Sequence, residues 1–229
     1  MTLRKILMLD DNPISESIDL IKSKLKREGI SAYIFLLNPQ DPKFKTKNEE
    51  GNFEIDFQKI KDEVQEHHKQ VKYDVVACDF NFSSEKLNGY QLIRWLINES
   101  SSSNFLFKKA KFVCYSSEIN KFETHIIDNN ELIRLVKLNI HSIFSRNDMP
   151  SEIPALIKKI NQTFSMSDHL ISRLEEMPDL KFKNVFPPFK DKTLSYISEE
   201  INRDSHQAKK FQKTFVDLTY AHILELNEQ

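Results

Sequence analysis

Five short apolar runs, separated by stretches of helical periodicity, constrain this chain more than any other feature. The runs are ILML at 6–9, ISAYIFLL at 30–37, YDVVAC at 73–78, FVCY at 112–115 and IHSIF at 140–144. A run that is apolar without alternation, as at 6–9, belongs to a strand covered on both faces, the condition of a parallel sheet between helices. Pro13 opens the first intervening helix, with Ile14, Ile18, Ile21 and Leu25 at steps of three and four, and Gly29 closes it. Phe57, Ile60 and Val64 predict a second helix. Leu92, Trp95 and Leu96 predict a third, ended by the serines at 100–103, and residues 131–138 a fourth. An α/β domain with a five-stranded parallel sheet follows over residues 1–165.

Two segments stand outside this alternation. Residues 38–56 are polar and carry Pro39, Pro42, Gly51 and the lysines between Lys43 and Lys47, so they read as an exposed insertion without a core of its own. Beyond Pro150 the pattern is helical throughout. Ile153, Leu156, Ile157 and Ile160 predict the last helix of the sheet domain, and residues 166–229 form a helical extension. In that extension Leu170, Ile171 and Leu174 predict one helix, a linker is punctuated by Pro178, Pro187 and Pro188, and residues 194–201 and 207–226 predict two more.

Glycine excludes a large class of functions. The chain has 3 glycines, Gly29, Gly51 and Gly89. A phosphate-cradling loop needs several, so neither a Walker loop nor a dinucleotide fingerprint can be built. The net charge of -1, with 29% charged residues, offers no basic excess for nucleic acid. No run approaches a membrane span of about 20 apolar residues, and acids follow the N-terminus too soon for a signal-peptide core, so a cytoplasmic protein is expected. Cys78 and Cys114 each fall inside an apolar run, where a cysteine acts as a small hydrophobe more often than as half of a bridge. His67 and His68 sit in a polar helical stretch and are expected to face water. His125, His141, His169, His206 and His222 show no ligand spacing.

Asp10 and Asp11 end the first run and Asp79 ends the third. Ligands of an open parallel sheet bind beyond the carboxyl ends of its strands, so three carboxylates from distant positions are expected in one crevice. Acids gathered in this way raise one another's pKa unless a cation compensates, and magnesium accepts such hard oxygen donors. An acidic pair after a strand also has a plainer role, as a helix N-terminal feature favoured by the helix dipole.

At four strand ends the chain resembles the receiver domains of two-component response regulators, over roughly residues 3–165. The blocks are KILMLDDNP at 5–13, YDVVACDFNF at 73–82 followed by LNGYQLIRWL at 87–96, KFVCYSS at 111–117 and IHSIFSRND at 140–148. The resemblance implies a flavodoxin-like sheet of order 2-1-3-4-5. It implies Asp79 as phosphoacceptor, with magnesium held by Asp11 and Asp79 directly, by Asp10 partly through water and by the backbone carbonyl of Asn81. Ser116 would donate its hydroxyl to the phosphoryl group, and Arg146 would stand where the family keeps lysine. The implied partners are a sensor histidine kinase or phosphotransfer protein and a downstream protein.

Four departures from the family pattern bear on function. Arg146 replaces a compact ammonium by a planar fork, which is not a neutral exchange at a phosphate site. Asn147 stands in place of proline, and Ile143 in place of the aromatic switch residue. The loops before Asp79 and between Asp79 and Gly89 are longer than usual for the family. A degenerate receiver used only as a binding module is therefore a second expectation. A metal-dependent phosphohydrolase of the haloacid-dehalogenase type would want Asp-x-Asp after the first strand, where this chain has Asp10-Asp11-Asn12.

The tail lacks a helix-turn-helix with a basic recognition helix, so no DNA-binding output is expected. Its last helix carries Phe211, Phe215 and Leu218 on one stripe and Val216, Tyr220 and Ile223 on another, wider than one packing seam needs. Homodimerisation or partner docking through residues 205–227 is expected, beside the plainer role of finishing a helical core.

Overall fold

The computed structural model describes residues 2–84, 87–102, 105–163, 165–183 and 186–227. The chain divides into two units, Met1–Gln162 and Thr163–Gln229. In the first, β1 (Thr2–Leu9) pairs with β2 (Ile30–Leu37), and the chain then makes a small antiparallel hairpin of β3 (Lys45–Lys47) and β4 (Phe53–Ile55). The sheet continues with β5 (Val75–Asp79), β6 (Lys111–Ser116) and β7 (Ser142–Ser145) in the order β2-β1-β5-β6-β7, every pair parallel. With the hairpin set aside, this is the flavodoxin-like order 2-1-3-4-5.

Alternation along each strand explains why the runs are apolar throughout. Ile6, Met8, Val75, Ala77, Val113 and Tyr115 face α1 (Ser15–Arg27) and α6 (Met149–Gln162), where Ile21, Leu25, Ile153 and Ile157 cover them. Leu7, Leu9, Val76, Cys78, Phe112 and Cys114 face the opposite layer of α2 (Phe57–Glu63), α3 (Gly89–Ser102) and α4 (Ile119–Asp128), a short α5 (Leu132–Lys137) following α4. Each fully buried Leu or Ile contributes about 1.5–3 kcal/mol, so both layers are needed to hold the sheet. α1 ends where Gly29, at φ +73°, takes the left-handed conformation that lets its N–H return to the Lys26 carbonyl at 3.1 Å. Cys78 and Cys114 are partners in register and carry free, buried thiols.

Three local expectations are corrected. The 38–56 segment is folded: Asp41 caps a 3-10 turn at Pro42–Phe44, the hairpin follows, and Phe44 and Ile55 join the core. Phe44 and Ile55 supply enough apolar surface to anchor a polar segment. α3 runs through the serines to Ser102, because the hydroxyls of Ser100 and Ser101 return to the Ile97 carbonyl and that of Ser102 to Asn98, satisfying them inside the helix; Ser103 lies outside the described residues. His67 is exposed, but His68 is buried. α2 passes into a π-helical turn, Val64–His68, which turns the His68 ring inward to meet the Tyr73 hydroxyl at 2.6 Å and the edge of Phe35.

The second unit comprises α7 (Met166–Glu175), α8 (Leu194–Asn202) and α9 (His206–Asn227). Its core is strongly aromatic: Phe186 and Phe189, from the segment read as a linker, pack edge-on against Phe211 of α9, beside Leu170, Leu174 and Ile197. The proline-rich stretch is thus part of a core as well as a connection. Beyond Phe211 the apolar residues of α9, including Val216, Leu218, Tyr220 and Ile223, are exposed. No helix among the described residues is long and apolar enough to cross a membrane.

Candidate functional site

Register alone assembles the crevice. β1 and β5 pair Leu9 with Cys78, so the next residues along the two strands, Asp10 and Asp79, emerge side by side at the carboxyl end. Asp79 is in turn the partner of Tyr115, and Ser116 the partner of Ser145, after which comes Arg146. Ligand atoms of Asp10, Asp11 and Asp79 all lie within 4.8 Å of one another. Asp10 and Asp79 are buried, while Asp11 is half-buried.

Arg146 holds the two buried acids together. One guanidinium nitrogen donates to Asp10 Oδ1 at 2.9 Å and also contacts Asp79 Oδ2. Asp10 accepts two further hydrogen bonds, from the Asn12 backbone N–H at 2.9 Å onto Oδ1 and from the Tyr115 hydroxyl at 2.8 Å onto Oδ2. Asn12 also donates through its side chain to Asp11 at 2.7 Å. The Tyr115 ring is completely buried, stacks on Phe144 and lies beneath the guanidinium of Arg146.

Burial is the largest influence on Asp79. Together with the neighbouring charge of Asp10 it pushes the carboxyl up to about 7, with Arg146 pulling the other way. Burial also raises Asp11, opposed by a hydrogen bond from Ser83. Desolvation acts to lower Arg146, but the charges of Asp79 and Asp10 prevail and its pKa is raised.

A hard divalent cation fits this donor set. The three carboxylates offer oxygen atoms to such an ion, and Asp79 Oδ1 is buried without a hydrogen-bond partner among the described residues, an arrangement that is costly unless something binds there.

The remaining residues expected at the site are placed as follows. Ser116 is buried at the adjoining strand end, where its Oγ accepts the Glu118 N–H at 2.9 Å. Asn81 follows Asp79 in the loop, its side chain accepting from the Ser83 N–H at 3.2 Å and donating to Glu118 at 3.4 Å. Ile143 is partly exposed on β7, and Asn147 lies in the 3-10 turn behind Arg146, its N–H donating to Ser145 Oγ at 3.4 Å. Tyr115 was not singled out from the sequence. Its one signal is its place immediately before Ser116 at the end of a strand.

Gly89 sets how closely α3 approaches the site. Its N–H donates to the Phe80 carbonyl at 2.7 Å, and the Cys78 thiol donates to the carbonyls of both Asp79 and Gly89 at 3.4 Å. A Cβ at this position would fall onto the Asp79 carbonyl oxygen.

Neither a family model nor any curated protein matches this chain. Among solved structures it is similar to a sensor protein from Polaromonas sp. JS666, with 15% identity, a TM-score of 0.40, and 69% of this chain and 96% of that one covered. It is similar to a response regulator from Thermotoga maritima, with 18% identity, a TM-score of 0.38, and coverage of 71% and 100%. It is also similar to a response regulator receiver domain from Rhodospirillum rubrum, with 15% identity, a TM-score of 0.38, and coverage of 70% and 95%.

Proposed function

We propose that this protein is a divergent response regulator whose receiver unit accepts a phosphoryl group on Asp79 and thereby controls protein–protein contacts. The observation that carries this is the buried, unpartnered Oδ1 of Asp79 within a cluster of three carboxylates at the ends of parallel strands. That oxygen accepts no hydrogen bond from the described residues that an incoming phosphorus would have to displace. In the transfer, an oxygen of Asp79 bonds to phosphorus while the bond from phosphorus to the donor's leaving atom breaks, leaving an acyl phosphate. Arg146 compensates charge on the pocket oxygens, and Ser116 donates its hydroxyl to the phosphoryl group. Asp11 and Asp79 directly, Asp10 partly through water and the backbone carbonyl of Asn81 would hold magnesium, which would neutralise charge on the transferring oxygens.

The phosphodonor would be a sensor histidine kinase or phosphotransfer protein in the cytoplasm, and the exposed apolar surface of α9 would serve homodimerisation or a downstream partner. The protein is incubated with acetyl phosphate and magnesium and its intact mass is measured beside Asp79→Asn. One phosphoryl group added to the wild type and none to the variant is expected. Equal labelling of the two proteins, or none of either, defeats the proposal.

One observation favours a second reading, a receiver shape kept as a binding module without phosphorylation. Arg146 already pairs with both Asp10 and Asp79 from within, offsetting part of their charge without a metal. That alternative predicts no magnesium-dependent change in mass or fluorescence.

A further inference from the structure

Asp10 is an acid whose accepting capacity is almost wholly used by the protein itself. Its Oδ1 takes two donors, the Asn12 N–H and Arg146, and its Oδ2 takes the Tyr115 hydroxyl, in a residue with no exposed surface. Each carboxylate oxygen offers about two lone-pair directions, so Oδ1 is saturated and Oδ2 is half used. Asp79 Oδ1 is equally buried and has no hydrogen-bond donor among the described residues. The two acids leave neighbouring strands side by side, yet both oxygens of Asp10 are engaged by the protein, while of Asp79 only Oδ2 is held, by Arg146.

We propose that Tyr115 is a positioning residue that weakens Asp10 as a ligand of the cation, so that a divalent ion at this site is held chiefly by Asp11 and Asp79 with Asp10 as a fixed counter-charge. The proposal rests on the cation-binding reading of the crevice. Tyr115 is suited to the part because its orientation is fixed from several sides. Its ring is stacked on Phe144 at 6.1 Å between centroids, carries the Arg146 guanidinium at 5.9 Å, and lies among Met8, Ala77, Val113 and Met149 of the same core layer. A phenol so enclosed must find an acceptor, and the bond it makes to an ionised carboxylate is of the strong, charge-assisted kind. An ion recruiting Oδ2, directly or through a water, would have to displace or share that bond. The hydroxyl thus weakens one of the three carboxylates offered to the metal without changing the acidic sequence.

The test is magnesium titration by calorimetry of the full-length wild type, Tyr115→Phe, Asp10→Asn and the double variant, each with its melting temperature measured. Removing the hydroxyl frees Oδ2, and magnesium is expected to bind Tyr115→Phe about tenfold more tightly, the equivalent of one charge-assisted hydrogen bond. In the Asp10→Asn background the same substitution is expected to bring no gain. A purely structural tyrosine would lower the melting temperature and leave the affinity ratio at one. Unchanged or weaker binding by Tyr115→Phe, or a gain that persists without the Asp10 carboxylate, overturns the proposal and leaves the cation site standing. Absence of magnesium binding in every protein overturns both.

Discussion

Gly89 presses its backbone against the carbonyl of Asp79, with no room between them for a β-carbon. The first turn of α3 and the end of β5 are therefore one unit, and the crevice takes its position from a residue with no side chain. Gly89→Ala is expected to cost about 3 kcal/mol or more, because a backbone atom is the obstacle and cannot rotate aside. Urea unfolding measures the loss. A midpoint within experimental error of the wild type would show that α3 can move off the sheet freely.

Asp79 makes stability depend on pH in an unusual direction. Its carboxyl is pushed up to about 7, above the ordinary 3.8 of the unfolded chain, so between those values the folded state binds more protons. Stability is then greatest on the acidic side of that window and falls as pH rises through about 7. Asp79→Asn removes the dependence and is expected to stabilise the metal-free protein at pH 8 by on the order of 3 kcal/mol. Urea midpoints from pH 4.5 to 8 in chelator, for both proteins, check it; a variant less stable than wild type at pH 8 contradicts it.

His68 acts in the opposite sense. Burial lowers its pKa below the ordinary 6.5, so the unfolded chain takes up a proton first as pH falls. Its contribution is complete above about 6.5 and is lost on acidification. His68→Gln is expected to lose about 1 kcal/mol at pH 8, where the bond to Tyr73 is broken, and to lose less than the wild type between pH 7 and 5. Thermal melting of the two proteins across that range checks it, and parallel curves would show that the ring does not titrate differently on folding.

The surface of α9 predicts self-association. Val216, Tyr220 and Ile223 are exposed on one helix. Replacing all three by serine is expected to convert a dimer to a monomer by light scattering while leaving the helical content of the full-length chain unchanged. A wild-type mass of 27.0 kDa, that of one chain, would remove the homodimer.

Legibility in the sequence followed a physical divide between short-range pattern and long-range register. The strands were legible because residues buried on both faces leave unbroken apolar runs, and Asp10, Asp11 and Asp79 because parallel strands place their carboxyl ends together. Tyr115 was not, since its acceptor is 105 residues away and only the register reveals the pair. His68 stands four residues after Val64, on the continuation of the buried stripe through Ile60, but its polar neighbours hid that periodicity, and the Tyr73 hydroxyl that satisfies it lies outside the helix. In the 38–56 segment Phe44 and Ile55 were too few to outweigh the surrounding lysines, asparagines and prolines. Arg146 was legible as the site's cation, whereas its hold on two acids at once depended on how β7 ends.

The bonds that converge on Asp10 join stretches of chain 105 and 136 residues apart. Loops of that length are closed late, after local helices and neighbouring strand pairs have formed, because their entropy must be lost before the contact rewards it. During synthesis the first aspartates leave the ribosome long before their counterparts exist. A half-made or clipped chain therefore carries the acids but not the crevice, and an assembled crevice is a certificate that the whole sheet has been completed.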